Sequence, residues 1–562
     1  MNRRSLLRGA AVGGAGLAGA ALIGCGSGGG DSSGGGASGG SSPAAGTSGG
    51  GAAAGQKPNV SEAFVMGQTR DAVSLEPLDA QVYTVPERIG LVYPRLLNPL
   101  RNNLDGVTPE AQADTKWVPS YAVDSFEAAD GGATVTFKIR KGVKYQNIAP
   151  LNGREFTSED VKYAINRYMT NTKSTFKGRF ADIKSIETPD KYTAVFKLNG
   201  PSAYFFWAVA AESSLIHPME LGEKDGAMKT NAVGPGPFIH EEYLQKEGSN
   251  LKKNPDFIDA DRVYYNKFLF KVITDAATRN AGLKTGQIDF VQARLSPSAA
   301  KTVEGANATL YPYPVTGVGN LNWNLRNPKW KDIRARRAMS KAIDRDALIA
   351  NTMQGAGVWS GIVPVGFGKW ALTSEEVKKT DSFAYDPKEA AKLWDAAGKP
   401  SPNVEFYFSP NGNLGGVQAE FYQKAWKENL GINVNVKTED YSIFLPSSYN
   451  NKYEDMCTVG YFLPFWMENL FAPYVKGGTR NGSGIDDPKV TEMMNDLRAT
   501  LDEKEAVEKS RKIQNYLADE VLAMAPVPYA TGFGSFNSKL RDFHPGVYPP
   551  GAEWIVHSWK TK

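Results

Sequence analysis

The side chains most used for nucleophilic, zinc and redox chemistry are scarce and scattered in this chain. His217, His240, His544 and His557 form no H-E-x-x-H, and Cys25 and Cys457 are widely separated, so neither a zinc site nor a catalytic triad is signalled. Two segments, Gly36-Ala-Ser-Gly-Gly40 and Gly46-Thr-Ser-Gly-Gly50, match G-x-S-x-G. Both lie in a Gly/Ser tract and not between a strand and a helix, where a nucleophile elbow must sit. Val233-Gly-Pro-Gly-Pro-Phe238 is glycine-rich, but neither Lys-Ser/Thr nor a helix start follows it, so it reads as a structural turn and not a phosphate loop. Seven Lys and Arg fall between Lys329 and Arg345 and could meet nucleic-acid phosphates. Asp332 and Asp344 interrupt that run and the whole chain carries only +4, so a solvated helix face is expected, with no nucleic-acid partner. Scattered Asp and Glu could still form a glycosidase pair, which sequence spacing leaves open. No catalytic group, metal or cofactor is expected.

At 562 residues, with 41% hydrophobic and 22% charged, the chain is globular and long enough for two or three domains. Its first sixty residues stand apart. Arg3-Arg4 followed by Ser-Leu-Leu-Arg8, then a weakly apolar run from Gly9 to Ile23, has the pattern of a twin-arginine export signal. The run is too short for a settled transmembrane helix. Leu22-Ile-Gly-Cys25 resembles a bacterial lipobox, in which small residues fit the signal peptidase and the cysteine thiol takes a diacylglycerol. Cys25 is therefore the expected lipid attachment site. Residues 26–55 are almost wholly Gly, Ser and Ala, a flexible tether. Loss of Arg3, Arg4 and Arg8 with the signal takes the net charge from +4 to +1, which implies no anionic partner. Cys457 is left as a small buried hydrophobe.

Local signals lay out the rest. Ala63 to Gly67 reads as a first strand, and Ile89 to Leu97 as an apolar helix-like run. Val135, Phe137 and Ile139 alternate with Thr134, Thr136 and Lys138 after Asp130-Gly-Gly132, a hairpin buried on one face. Thr157-Ser-Glu-Asp160 is a capping box ahead of Val161, Ala164, Ile165 and Tyr168, which share a helical face. Ile183 to Glu187 and Tyr192 to Leu198 form a further hairpin. After Pro328, Ile333, Ala338, Met339, Ala342 and Ile343 recur at helical spacing. That spacing turns Lys331, Arg334, Arg337, Lys341 and Arg345 mostly outward, and Asp344 caps a second helix. Asn403 to Phe408, Val417 to Leu430 with its stop at Gly431, and Ile432 to Val436 make a strand–helix–strand crossover, the unit of an α/β lobe with a parallel sheet.

Three stretches together carry a family resemblance. They are Asp130-Gly-Gly-Ala-Thr-Val-Thr-Phe-Lys-Ile-Arg-Lys-Gly-Val-Lys144, Phe156-Thr-Ser-Glu-Asp-Val-Lys-Tyr-Ala-Ile-Asn-Arg167, and Gly317-Val-Gly-Asn-Leu-Asn-Trp-Asn-Leu-Arg326 followed by Asp332 to Arg345. In this order they resemble extracellular solute-binding protein family 5, the oligopeptide- and dipeptide-binding lipoproteins of ABC importers. The resemblance runs from about Phe64 to Phe543. It implies an α/β, two-lobed periplasmic-binding-protein clam of the class II type, with an extra α+β subdomain in the first lobe. The expected segments are a signal peptide (1–24), a tether (25–57), the first lobe in three parts (58–97, 232–316, 527–562), the inserted subdomain (98–231) and the second lobe (317–526). Crossings between the lobes are expected near Val315 to Asn320 and Ala525 to Tyr529.

The resemblance implies capture of a peptide or other small solute between the lobes and its delivery to ABC permease subunits. It further implies a monomer, exported and lipid-anchored at the outer face of the cell membrane or in the periplasm. The family's early loop supplies backbone to the ligand, which points to Tyr83, Thr84 and Val85. Aromatics at the expected lobe edges are Trp323, Tyr461, Phe462, Trp466 and Tyr529. Peptide binders of the family carry G-W-x-x-D-Y, whose aspartate holds the peptide's α-ammonium ion. Here the matching run is Gly460-Tyr-Phe-Leu-Pro464-Phe, and proline cannot accept that charge. Glu468 is the nearest acid. Peptide is weakened as the ligand, and oligosaccharides or other small solutes gain. A secreted hydrolase is the rival from another class, and a sensing lipoprotein without an importer is a third reading.

Overall fold

The computed structural model describes residues 58, 60–80, 83–99, 117–305, 307–313, 315–410, 416–462, 466–478, 480–543 and 558–561. The export signal, Cys25, the Gly/Ser tract and Pro464 lie outside them.

Three sheets organise the chain. β1 (Ser61–Gln68) is followed by an inserted antiparallel sheet of β2 (Val123–Ala129), β3 (Thr134–Ile139), β4 (Ile183–Asp190) and β5 (Thr193–Leu198), ordered β2-β3-β5-β4. The chain then returns to β1 through β6 (Phe238–Leu244), β7 (Gly248–Lys253), β8 (Tyr265–Val272), β9 (Phe290–Leu295) and β10 (Ala308–Pro312). A different sheet follows, of β11 (Gly317–Trp323), β12 (Asn403–Phe408), β13 (Asn433–Thr438), β14 (Met456–Phe462) and β15 (Met524–Val527), ordered β13-β12-β14-β11-β15. Finally β16 (Phe533–Asn537) completes the first sheet, ordered β10-β16-β9-β1-β8-β7-β6. The seven-stranded sheet with its insert is one lobe, the five-stranded sheet with its helices the other. This is the two-lobed binding-protein clam.

The inserted sheet forms where local chemistry demands it. Asp130, Gly131 and Gly132 all take positive φ (53°, 65° and 95°), which glycine accepts without a Cβ clash. The strand that leaves this turn buries Val135, Phe137 and Ile139 at 0–1% exposure. Thr157 and Asp160 close the capping box at the head of α2 (Ser158–Thr170), whose Val161, Ala164, Ile165 and Tyr168 are wholly buried. Gly234 and Gly236 press against the backbone of residues 91 and 92. A Cβ on Gly236 would lie 2.5 Å from the Leu91 carbonyl oxygen, so the segment is a packing turn.

The first lobe's next helix differs from expectation. α1 covers Thr84–Ile89, so the apolar run from Ile89 to Leu97 is not a helix. Gly90 follows it as C-cap, and Pro94, which lacks an amide hydrogen, stands inside the run. Thr84 and Val85 consequently lie in a first helical turn, not in a loop.

Expected and found elements agree more closely in the second lobe. β12, the helix Gly416–Leu430 and β13 make the crossover, with β12 and β13 parallel and Gly431 at φ 71° ending the helix. α6 (Ile333–Lys341) and α7 (Arg345–Thr352) follow β11, each N-capped by an aspartate, Asp332 and Asp344. The basic face is not all outside, however. Arg336, Lys341 and Arg345 are buried at 5%, 4% and 1% exposure, because carbonyl groups from other segments surround them. Arg336 donates to the oxygens of Leu522 (3.0 Å) and Val521 (2.8 Å), at the π-helical turn Leu517–Val521. Arg345 donates to those of Phe383 (2.7 Å), Ser340 (3.1 Å) and Pro526 (3.3 Å). Cys457 is a buried free thiol whose pKa burial pushes up, which makes it inert.

Candidate ligand-binding cleft

Strand polarity fixes where a ligand can sit. β1 runs parallel to β8 and β9, and the chain leaves the first sheet at Pro312. Pro312 and Leu295 both pair with Phe533, the residue at which the chain returns. In the other sheet Gly317, the first residue after the crossing, pairs with Phe462 at the carboxyl end of β14, and β12 runs parallel to β14. The carboxyl ends of parallel strands in both sheets therefore meet at the crossings, where open α/β sheets bind ligands. Among the described residues the two crossings occupy 313 and 315–316, and 528–532, a few residues from the expected places. Residues 317–320 and 525–527 are already strand.

Side chains at this end on the first lobe form a connected polar cluster. Thr69 shares a 2.9 Å hydrogen bond with the Tyr83 hydroxyl, and the Arg70 guanidinium lies 5.3 Å from the Tyr83 ring centroid. Gln68, the last residue of β1, accepts from Arg88 Nε (3.0 Å) and Nη2 (2.6 Å) and donates to Glu87 Oε2 at 2.5 Å. Arg88 also pairs with Asp71 at 2.7 Å and lies 5.5 Å from the Tyr243 ring centroid. Burial raises the Glu87 carboxyl to about 8, against the hydrogen bond from Gln68 and the charges of Arg88 and Arg70. Glu87 is thus largely neutral at pH 7. Arg294 stacks 5.1 Å from the Tyr529 ring and donates Nη1 to the Ala530 carbonyl. Burial holds the Tyr529 hydroxyl at about 12 and pushes that of Tyr313, in the first crossing, higher still.

The expected site residues are not all brought together. Tyr83 keeps part of its surface at the cluster. Thr84 and Val85 are 0% exposed and Tyr529 5%, so their side chains serve packing, and Tyr529 joins a two-residue ladder with Gly357–Val358. Trp323 is a correction. It is 0% exposed, at the end of β11 opposite the crossing, opposite Met456, and no ligand surface remains on it. Its position suggested a lobe edge, but β11 is flanked on both sides. Tyr461 and Phe462 close β14 at the crossing and Trp466 opens α9 (Trp466–Tyr474). Sequence reading missed Arg70, Glu87, Arg294 and Tyr313. Arg70 and Arg294 had only their positions near strand ends as a signal and Tyr313 its place in a crossing, and Glu87 lies inside α1.

Chemically the cluster offers guanidinium donors, phenol hydroxyls and aromatic faces. Among the described residues no group of three or more His, Cys, Asp or Glu could hold a metal ion, and no helix is long and apolar enough to cross a membrane.

Comparison with known proteins agrees with this architecture. Over 340 residues the chain is 31% identical to a putative ABC transporter peptide-binding protein of Brucella ovis, covering 56% of this chain and 59% of that protein, under two thirds of its length. It is 24% identical to the di/tripeptide-binding protein 1 of Pseudomonas aeruginosa, over 78% of this chain and 85% of the relative. It is 23% identical to the oligopeptide-binding protein OppA of Bacillus subtilis, over 80% and 84%. Among solved structures, the periplasmic binding protein DppA of Helicobacter pylori, in complex with a peptide, superposes with a TM-score of 0.74 at 20% identity, covering 90% of this chain and 99% of that one. AgaA of A. tumefaciens R10, in complex with agropinic acid, gives 0.73 at 19%, over 89% and 99%. The model of the bacterial extracellular solute-binding proteins, family 5, matches residues 116–483, and the chain belongs to that family.

Proposed function

We propose that this chain is the substrate-binding subunit of an ABC importer, a lipoprotein attached through Cys25 that closes two lobes on an extracellular solute and presents it to permease subunits. The observation that carries the reading is the meeting of carboxyl strand ends from both sheets at two adjacent crossings. Two sheets linked through such crossings can open and shut by rotation. In this reading the first lobe comprises residues 58–97, 232–316 and 527–562, the subdomain 98–231 and the second lobe 317–526. It acts as a monomer, and its work is binding, not catalysis.

Peptide is the first ligand class to test, since the Brucella, Pseudomonas and Bacillus relatives are peptide-binding by name. Tyr83 and the backbone of Thr84 and Val85 meet the ligand from one lobe, and Tyr461, Phe462 and Trp466 from the other. Pro464 replaces the aspartate that would hold a free α-amino group, so that group is not the main recognition element. Calorimetry with matched free and N-acetylated peptides, beside a sugar panel, tests this. The expected acetylation penalty is well under the roughly 1.5–3 kcal/mol of a hydrogen bond to a charged group. A penalty of that full size overturns the reading of Pro464, and sugar binding without peptide binding moves the assignment to oligosaccharides.

A further inference from the structure

The inserted sheet and the second lobe touch although neither crossing joins them. α10 (Pro488–Ala499), a second-lobe helix packed beside α11 (Glu503–Tyr516), carries Arg498 in its last turn, whose Nη1 lies 3.0 Å from Asp182 Oδ1 of the insert. Both side chains are mostly covered, at 27% and 17% exposure. The guanidinium carbon also sits 5.1 Å from the ring centroid of Tyr204, in the insert's helix α3 (Ala203–Ala210), and 4.8 Å from that of Phe471, in α9 of the second lobe. These two rings are themselves 5.6 Å apart across the boundary. Asp182 is held for the task. Ser202, the N-cap of α3, donates its hydroxyl to Asp182 Oδ2 at 2.6 Å, and Asn199 N–H donates to the Asp182 carbonyl at 2.9 Å. Three residues beyond Arg498, Leu501 lies against Gly132, where an added Cβ would meet its Cδ1 at 2.7 Å.

We infer that Arg498, Asp182, Tyr204 and Phe471 form a latch that holds the two lobes shut, an inference that rests on the two-lobed closing motion proposed above. The contact joins elements of opposite lobes away from the hinge. Swinging the second lobe away must therefore pull the guanidinium from the Asp182 carboxylate and the Tyr204 ring, and part the Tyr204 and Phe471 rings, all at once. A partly exposed ion pair alone contributes little. The guanidinium's contact with the Tyr204 ring, which the same motion breaks, adds a comparable amount. Small individual terms broken by one motion suit a latch that biases the closed form without locking it. Leu501 on Gly132 seats the end of the helix, so the arginine arrives in register.

Pulsed EPR distances read the latch directly in the full chain with no ligand added. Nitroxides are placed through Lys177→Cys and Lys504→Cys, both exposed positions, one in each partner. Cys457 is buried and stays unlabelled, and labelling of the membrane-extracted lipoprotein leaves Cys25 capped. The labelled parent should show mainly a short distance. Arg498→Ala should shift the short-to-long ratio roughly tenfold toward long, Arg498→Lys by less, and the exchange Asp182→Arg with Arg498→Asp should recover most of the short population. Thermal melts identify any variant that fails to fold, for which Asp182→Asn and Tyr204→Leu read the same contact. The single change Arg498→Asp, which sets a carboxylate against Asp182, is the control for motion. If it opens the gap while Arg498→Ala leaves the ratio unchanged, the latch is overturned and the hinge stands. If no variant, Arg498→Asp included, changes the distance, the closing motion itself is wrong.

Discussion

Gln68 and Glu87 share a 2.5 Å hydrogen bond at the carboxyl end of β1, and the other Glu87 oxygen, Oε1, is buried without a hydrogen-bond partner among the described residues. A carboxyl placed so prefers to keep its proton, since an ionised group there gives up hydration for one amide donor.

That preference predicts how stability follows pH. Burial raises the Glu87 carboxyl from 4.5 to about 8, so the folded state binds a proton that the unfolded state releases near its ordinary value. This group's contribution is fully present below about pH 4.5 and falls as pH rises towards 8. The loss, on the order of 3–5 kcal/mol, levels off above that. Glu87→Gln should be near-neutral at pH 5 and stabilising at pH 8.5. Denaturant midpoints for both proteins across pH 5–9 measure it, and parallel pH profiles would show that Glu87 does not titrate on folding.

Arg345 should be less replaceable than its place in a basic run suggests. Its guanidinium serves the carbonyls of Phe383, Ser340 and Pro526 inside the second lobe. Arg345→Ala strands those acceptors and leaves a cavity, at a cost of roughly 3–5 kcal/mol. Arg345→Lys should recover only part, because one ammonium cannot reproduce the planar fork. Arg334→Ala, at an exposed position on α6, should stay within about 0.5 kcal/mol. Urea denaturation ranks the three.

Two glycines should behave differently under the same substitution. Gly236→Ala drives a Cβ into the carbonyl oxygens of Leu91 and Val92, at 2.5 and 2.6 Å. Backbone must move to admit it, and a loss of more than about 2 kcal/mol is expected. Gly398→Ala meets nothing within 4 Å and pays only for φ +78°, about 1 kcal/mol. Melting both variants beside the parent protein checks the order.

Cys25 should decide where the protein resides. With the lipobox and export signal contiguous, Cys25→Ala is expected to leave the chain soluble or uncleaved. Membrane fractionation of that variant reads the outcome, and an unchanged membrane fraction would remove the lipid assignment.

Some of this was legible in the sequence, and the pattern of success is physical. Asp130-Gly-Gly132, the box from Thr157 to Asp160, the cap Asp344 and the stop at Gly431 each act within four or five residues. Backbone dihedrals and first-turn hydrogen bonds are satisfied locally there, so the letters determine the element. The run from Ile89 to Leu97 misled because apolar periodicity alone does not separate a helix from a buried turn and short strand.

By itself the sequence therefore determined the locally capped elements, the strand–helix–strand crossover of the second lobe and, through the three resembling stretches, the family. Only the tertiary structure decided which strand ends meet. It turned Arg345 and Lys341 inward to distant carbonyls, sealed Trp323 in a flanked strand and gathered Arg70, Tyr83, Arg294 and Tyr313 at the crossings. It also set Arg498 against Asp182 across 316 residues of chain. The reason is range: caps and turns are settled by a few neighbouring dihedrals, whereas these contacts exist only after two sheets have closed and brought together residues with no local interaction.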